Sequence, residues 1–487
     1  MLGNTIAAIA TPPGNGGIGI IRISGANALV LLQKMFWPVG VASAGFLNRT
    51  AENSCSQKEQ HLFQPEPRRL YLGQVKDNNG GILDHALAVY MPAPHSYTGE
   101  DVVELQCHGG YLVCHEILAA AVQAGAQLAE PGEVTSRAFI NGKISLDQAE
   151  AVVDIIEAKS AEALKISERQ LAGGLQQQLA GMADALLDIL AQLELAVDYP
   201  EETDEPVLQQ QILQQVTVAR QNVQKLLAQT KTGRYYREGA LTAIVGPTNA
   251  GKSTLLNTLL QVQRAIVTPI PGTTRDTVEE YYLLDGLPLR LVDTAGIRET
   301  DDLVEQAGIE RSKQALAAAD LVLLTLDCSQ PIEEFWLNLL QQQAQTENKV
   351  MLLLNKIDLL PREDLASSQN LAKIYQICAD YGTPILRLSA KDGFGLTELK
   401  QAIKQMLMAN QSGGEPMAAL LNDRHKAALL AADAALNSAA EAAVIAFDAA
   451  MLSIDVQTAW QALAEISGQA ASEAIIERVF ARFCLGK

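Results

Sequence analysis

Residues 239–256, GALTAIVGPTNAGKSTLL, join a short strand-like run to a glycine-rich turn and the start of a helix. Gly246 to Ser253 satisfy G-x-x-x-x-G-K-[ST] in the context that the motif requires, with the strand ALTAIV before it and the helix STLLNTLLQ after it. Backbone N–H groups of such a turn cradle phosphates, and the helix N-terminus adds a favourable field. The expected phosphate contacts are Asn249, Ala250, Gly251, Lys252, Ser253 and Thr254. Lys252 is expected to reach the β- and γ-phosphates and Ser253 to ligate Mg²⁺. The bland alternative, a glycine-rich helix start with no ligand, is disfavoured by the complete pattern in its proper place.

Outward from this turn, residues 239–408 alternate short apolar strands (LVLLTLD, KVMLLLN, PILRLSA) with helical stretches, which predicts an α/β domain with a largely parallel sheet. VEEYYLLDGLPLRLVD (278–293) reads as a hairpin turning at Asp285-Gly286. Asp293, Thr294, Ala295 and Gly296 close the second hairpin strand, where a Walker-B-type aspartate assists the Mg²⁺ shell. Asn355, Lys356 and Asp358 end another strand. A carboxylate such as that of Asp358 accepts from both N1–H and the 2-amino group of guanine; adenine lacks that donor pair, so the expected nucleotide is GTP. Ser389, Ala390 and Lys391 end the last strand, where the backbone can meet the guanine carbonyl. All these positions fall at C-terminal strand ends, where open α/β sheets bind ligands. Their order resembles the Ras-like GTPase superfamily.

Hydrolysis needs a positioned water and positive charge at the transition state. A glutamine often follows D-x-x-G in this superfamily; here the position is Ile297, which has no hydrogen-bonding group. Glu305, in the acidic stretch that follows, is the candidate to orient water, directly or through a second water; on residue type alone it is an ordinary solvated carboxylate. For charge, a monovalent cation is one candidate: Asn249 offers a side-chain oxygen, and Thr268, Pro269, Ile270, Pro271, Gly272 and Thr273 could wrap the ion with oxygen ligands. Thr274 is the expected switch Mg²⁺ ligand. Arg275 and Arg298 are rival cationic groups.

The remaining chain differs in style. Up to about residue 145, β-like runs alternate with turns, and 38–69 reads as a long surface loop. Ser145-Leu-Asp-Gln148 is a capping box, after which Ala, Gln, Leu and Glu dominate to about residue 230, with a break at YPEETDEP (199–206); 416–487 resumes that helical style. The expected organisation is 1–144, a first helical part 145–238, the inserted α/β domain 239–408 and a second helical part 409–487. The 487 residues suit about three domains. With 37 Lys plus Arg against 56 Asp plus Glu, net charge is −19, which argues against a chain that coats nucleic acid unaided. The six cysteines are too scattered for a disulfide framework. No uninterrupted apolar run reaches the roughly 18 residues of a membrane span, and the first residues lack a basic region of the signal-peptide kind. A cytoplasmic protein with no membrane association is expected. Cys107, His108, Cys114 and His115 match no standard zinc spacing and read as core and turn residues.

The set G-x-x-N-x-G-K-S, G-T-T-R-D, D-T-A-G-I-R and N-K-x-D resembles that of the potassium-activated tRNA modification GTPases of the MnmE (TrmE) type. TIAAIATPPGNGGIGIIRISG (5–25), PHSYTGEDVVELQCHGG (94–110), PGEVTSRAFINGKISLDQAEAVVDII (131–156) and the terminal FCLGK (483–487) are similar to other parts of that family. The resemblance implies an α+β multidomain chain: an N-terminal α/β folate-binding domain, a discontinuous helical bundle and an inserted Ras-like α/β GTPase domain. It implies a homodimer held by the N-terminal domains, K⁺ and Mg²⁺, a tetrahydrofolate derivative (5,10-methylene or 5-formyl), and a flavin-containing partner of the MnmG (GidA) type. The implied reaction adds an aminomethyl or carboxymethylaminomethyl group to C5 of the tRNA wobble uridine. Arg22, Glu104, Lys143 and Lys487 match the folate-binding positions, Cys484 the family's C-terminal cysteine and Glu305 its catalytic glutamate. Arg and Lys suit the folate carboxylates, and a carboxylate suits the pterin's donor edge. A thiolate at Cys484 would act as nucleophile if its pKa were lowered; a cysteine packed beside Phe483 is the other reading. The rival function is a ribosome-associated GTPase switch without folate chemistry, against which stands the lack of any basic RNA-reading motif.

Overall fold

The computed structural model describes residues 3–39, 63–262, 280–293, 316–345, 349–359, 369–408, 419–445, 447–483 and 486. Two compact units emerge, Met1–Val153 together with Ala464–Lys487, and Asp154–Leu463.

In the first unit, strands β1 (Ile6–Ile9), β2 (Ile18–Ser24), β3 (Phe36–Pro38), β4 (Leu70–Lys76), β5 (Ile82–Met91), β6 (Val102–His108) and β7 (Gln127–Leu128) form one sheet in the order β3-β4-β5-β6-β2-β1-β7. Pairing is antiparallel throughout except between β1 and β7. The cause is visible along β2 and β6: Ile21, Ile23, Val103 and Leu105 are fully buried, while Arg22 and Glu104 between them face the other side. Helices α1 (Ala28–Met35) and α2 (Tyr111–Ala124) cover the apolar face with Leu31, Leu32, Met35, Ile117 and Ala121. Each of the Leu, Met and Ile side chains contributes about 1.5–3 kcal/mol on burial. Gly19 allows the close approach of α2, since a Cβ there would lie 2.3 Å from the Cys114 sulfur. In helix α3 (Glu133–Ile140) the Arg137 guanidinium, 4% exposed, donates to Glu133, Glu100 and the Asn4 carbonyl. The C-terminal residues Phe480 and Phe483 pack with Phe139, Leu146 and Ala149 in the same unit.

The second unit holds a helical part and the α/β part. Helices α5 (Ala161–Leu171), α6 (Gly174–Asp198) and α7 (Glu205–Glu238) precede the sheet, and α12 (Asp423–Ile445) and α13 (Ala449–Ser467) follow it. The expected break at 199–206 is a 3₁₀ turn, Pro200–Glu202, with Pro206 in the first turn of α7. Helix α12 is long and apolar enough to cross a membrane by length and composition. Its Leu429, Ala432, Leu436, Ala439 and Ala443 are nevertheless buried, and its Asp433 accepts a 3.0 Å bond from Arg220 of α7, so its surroundings are those of a core helix.

Strands β8 (Ala240–Val245), β9 (Glu280–Leu284), β10 (Leu287–Asp293), β11 (Leu321–Asp327), β12 (Lys349–Asn355) and β13 (Ile385–Arg387) form the second sheet, ordered β13-β12-β11-β8-β10-β9. All pairs are parallel except β9/β10. Helices α8 (Lys252–Val262), α9 (Glu334–Ala344), α10 (Gln369–Tyr381) and α11 (Leu396–Met408) join these strands, and separate apolar cores lie on the two faces. Burial on both faces is why LVLLTLD and KVMLLLN are continuous rather than alternating. The β9/β10 turn places Asp285 and Gly286 at φ of 44° and 87°, the left-handed pair of a type I′ hairpin.

Candidate functional site

The glycine-rich turn follows β8 directly. Gly246 passes so close to β11 that a Cβ would sit 1.9 Å from the Thr325 carbonyl oxygen, and a Cβ on Gly251 would sit 2.2 Å from the Asn355 amide nitrogen. Asn249 and Gly251 both hold positive φ, 65° and 92°. The buried Lys252 ammonium donates to the carbonyls of Gly246 and Pro247, each at 2.8 Å, and so closes the turn on itself. Ser253 and Thr254 are exposed at the opening of α8, where the field of the helix N-terminus favours an anion. A phosphate chain is the ligand that such a turn of inward N–H groups and one lysine accommodates.

Asn355 ties the motifs together. Its amide nitrogen donates 2.7 Å to the Ala250 carbonyl in the turn, and its amide oxygen accepts 3.0 Å from the Ala390 N–H. The side chain is 1% exposed. Thr258 of α8 adds a bond to the Ala390 carbonyl at 3.0 Å. Ser389, also buried, hydrogen-bonds to Asp392, while Lys391 is exposed. Lys356, at φ 64°, pairs at 2.8 Å with Asp327, the residue opposite Asn355 across β11/β12. Burial pushes the Asp327 carboxyl up, but bonds from Lys356 and from the hydroxyl and N–H of Ser329 outweigh it and hold the group below its ordinary value. Asp358 is exposed in the 3₁₀ turn Ile357–Leu359, free to face a base edge. Residue reasoning passed over Asp327 and Cys328. An aspartate closing an apolar strand, as Asp293 also does, was the available signal. The Cys328 thiol donates 2.9 Å to the Asn355 carbonyl, and burial, with Asp327 beside it, raises its pKa to about 11.

A second polar site lies on the open face of the first sheet. Arg22 and Glu104 are direct partners in the β2/β6 register and form a 2.8 Å ion pair. The same guanidinium donates 3.4 Å to the carbonyl of Gly486 and lies 5.9 Å from the centre of the Tyr97 ring. Burial raises the Tyr97 pKa, against the opposing effects of Thr135 and Arg22. Gly486 has φ 87°, and a Cβ there would strike the Ile9 carbonyl, so Gly486 presses onto the end of β1. Lys143 donates 3.0 Å to Pro94 and packs near Gly99, on the loop that carries Tyr97. Arg22, Glu104 and Gly486 therefore meet; Lys143 meets the neighbouring loop. Tyr97 was not singled out from the sequence, although PHSYTGED was.

Of the remaining expected residues, Asp293 ends β10, and no more is described of it than its place there. Thr268, Pro269, Ile270, Pro271, Gly272, Thr273, Thr274, Thr294, Ala295, Gly296, Ile297, Glu305, Cys484 and Lys487 lie outside the described residues. Cys107 and Cys114 are buried in the core with their sulfurs 3.9 Å apart, and burial, with Cys114 adjacent, pushes the Cys107 thiol up to about 12. His108 pairs with Asp84 at 2.7 Å and His115 stacks on Tyr111. Among the described residues no three His, Cys, Asp or Glu gather as a metal cluster.

Residues 146–484 match the MnmE helical domain family, and residues 5–143 match the GTP-binding protein TrmE N-terminus family. The chain is 42% identical over 489 residues to the tRNA modification GTPase MnmE of Roseiflexus sp. (strain RS-1), with 99% of each chain covered. It is 40% identical over 497 residues to that of Heliobacterium modesticaldum (strain ATCC 51547 / Ice1), with 100% of each covered. Among solved structures, Aquifex aeolicus Era bound to GDP.AlF4- aligns at 30% identity over 40% of this chain and 65% of its own, with a TM-score of 0.27.

Proposed function

The chain belongs to the MnmE family of tRNA modification GTPases, and from that premise we propose that it couples GTP hydrolysis to one-carbon chemistry on the wobble uridine of tRNA. In this reading 239–408 is the GTPase domain, 1–144 the folate and dimer domain, and 145–238 with 409–487 the helical body that joins them. The observation that carries the folate assignment is the Arg22 guanidinium, held between the Glu104 carboxylate and the Gly486 carbonyl beside Tyr97. Three remote segments converge there on a charge pair that suits a ligand with a carboxylate at one end and a hydrogen-bond donor edge at the other.

The residues divide the work as follows. Lys252 exchanges the Gly246 and Pro247 carbonyls for phosphate oxygens, because a phosphate offers the ammonium a full charge. Ser253, Thr274 and Asp293 hold or orient the Mg²⁺ shell, and Asn249 with Thr268, Ile270 and Thr273 holds K⁺. Glu305 positions water. Asp358 reads guanine, while Asn355 keeps the phosphate turn and the Ser389–Lys391 turn in one register. Tetrahydrofolate, when bound, supplies a one-carbon unit. Arg22, Glu104, Lys143 and Lys487 would bind and orient it, and Cys484 would serve as the nucleophile. A flavin-containing partner of the MnmG (GidA) type completes the complex, which works in the cytoplasm.

Homodimerisation is supported by the open face of the first sheet. Exposed Ile18, Leu70 and Leu72 share that face with Arg22 and Glu104, in rows fixed by the pairings Leu72↔Leu87↔Gln106↔Ile20 and Leu70↔Val89↔Glu104↔Arg22.

Mass spectrometry of wobble nucleosides from a deletion strain tests the reading. Wild-type chain should restore the C5-modified uridines, and Glu104→Gln should fail to restore them while hydrolysing GTP at the wild-type rate. Unchanged nucleosides in the deletion strain, with ribosomal-subunit co-sedimentation of the chain, would transfer support to the ribosome-associated switch.

A further inference from the structure

We propose that the end of the helical bundle where α6 turns into α7 and α12 into α13 is the docking surface for a protein partner whose contacting face is apolar at its centre and rimmed with Lys and Arg. The inference rests on the reading above that the chain works with a flavin-containing protein, and that protein is the occupant.

Two hydrogen bonds define this end. Gln209 of α7 donates 2.6 Å to the Ala443 carbonyl of α12, and Arg220 donates 3.0 Å to Asp433. As numbering rises along α7 it falls along α12, so the two helices are antiparallel. Gln209 lies eleven residues from Arg220, or roughly 16 Å at 1.5 Å per residue. The turn from α6 to α7 and the turn from α12 to α13 therefore lie at the same end. Ser438 bonds to Asp455 at 2.9 Å, and Asp448 accepts from the N–H groups of Ala450 and Met451, which brings the start of α13 to that end as well.

Apolar side chains stand out in solvent here. Tyr199 is 56% exposed, Val444 65%, Ile445 84%, Met451 65% and Ile454 64%, with Val207 also exposed. Single exposed apolar residues are ordinary; a cluster of large ones at one end marks an interaction site. Around them the charge has one sign. Residues 170–219 contain eight Asp or Glu and residues 427–463 contain four, with no Lys, Arg or His in either stretch. Glu201, Glu202, Asp204, Glu205 and Asp448 lie in or beside the two turns.

That distribution selects the occupant. RNA binds through Lys and Arg at its phosphates, and neither stretch holds one. A second copy would bring an equally acidic end against this one, and like charges oppose that contact. A protein with Lys and Arg around an apolar centre satisfies both features: the apolar centre supplies affinity and the rim supplies rate and orientation.

The test is a binding titration of the full-length chain with the purified flavoprotein at low and high salt. One variant combines Ile445→Ser, Met451→Ser and Ile454→Ser; another combines Glu201→Lys and Glu202→Lys. These positions are exposed, so far-UV dichroism and basal GTP hydrolysis should match wild type. The expected result is a dissociation constant raised by roughly tenfold or more in each variant, since hot-spot losses exceed about 1.4 kcal/mol, and wild-type binding that weakens with salt. Wild-type affinity in both variants would overturn the docking surface while leaving the partnership intact. Failure of the wild-type chain to bind the flavoprotein would overturn the partnership and this inference together. Weakened tRNA binding with unchanged flavoprotein binding would overturn the inference in favour of RNA.

Discussion

Replacing Asn355 by alanine removes two hydrogen bonds at once and leaves the Ala250 carbonyl and the Ala390 N–H buried. Each orphaned group costs about 1–3 kcal/mol, so Asn355→Ala should weaken GTP binding and lower the urea midpoint of the GTPase domain; a nucleotide titration and a denaturation curve check this. Gly251→Ala should act through the same contact, because φ of 92° strains any side chain and the new Cβ would lie 2.2 Å from the Asn355 amide nitrogen. Asp358→Asn should relax the base preference, and binding of xanthosine triphosphate checks it; a variant that rejects xanthine and binds GTP normally would refute the assignment. The Asp327–Lys356 pair carries a pH signature. The Asp327 carboxyl titrates below its ordinary value in the folded chain. Its stabilisation is therefore present above the unfolded-state pKa and is lost as pH falls through the lower folded value. Lys356→Ala should flatten that acid limb in denaturation curves taken at successive pH values. At this scale the sequence motifs singled out Asn355, Lys356 and Lys252 as candidate residues of the site. They did not show that Asn355 spends its side chain on the backbone of two turns, because those partners lie 105 and 35 residues away.

Among the elements, helix α3 is tied to its surroundings by one buried charge. Arg137 is enclosed, with Glu100, Glu133 and the Asn4 carbonyl as its partners. Removing one side of a buried charge network typically costs about 3–5 kcal/mol, so Arg137→Ala should destabilise the first unit by that order, and thermal denaturation of the full chain should show its transition shifted down. Patterns with local causes were readable in advance. Asp285-Gly286 adopts the two positive φ values that its hairpin needs, and at the capping box of α4 (Leu146–Glu157) the Gln148 side chain accepts from the Ser145 N–H at 2.9 Å. The strands β1 and β4 were not foreseen. IAAI is short and LYLGQVK is broken by Gly73 and Gln74, and what makes them strands is the presence of β2 and β5 beside them.

For the molecule as a whole, the proposed K⁺ site predicts faster GTP hydrolysis in potassium than in sodium at equal ionic strength; equal rates would remove it. The proposed dimer face predicts that Leu72→Asp shifts the sedimenting species from dimer to monomer with the GTPase domain still folded. Insertion of an α/β domain within a helical body was legible, because its helix-strand alternation and its phosphate turn are written locally in 239–408. Local chemistry likewise determined the glycine-rich turn and the strand identities of the parallel sheet, since each depends on residues adjacent in the chain. Tertiary structure alone decided that Gly486 reaches Arg22, that Tyr97 stands beside that guanidinium, and that the helix ends bearing no positive charge share one acidic, apolar surface. Those relations join residues up to 464 positions apart, and no local periodicity encodes a contact that exists only once the chain has folded back upon itself.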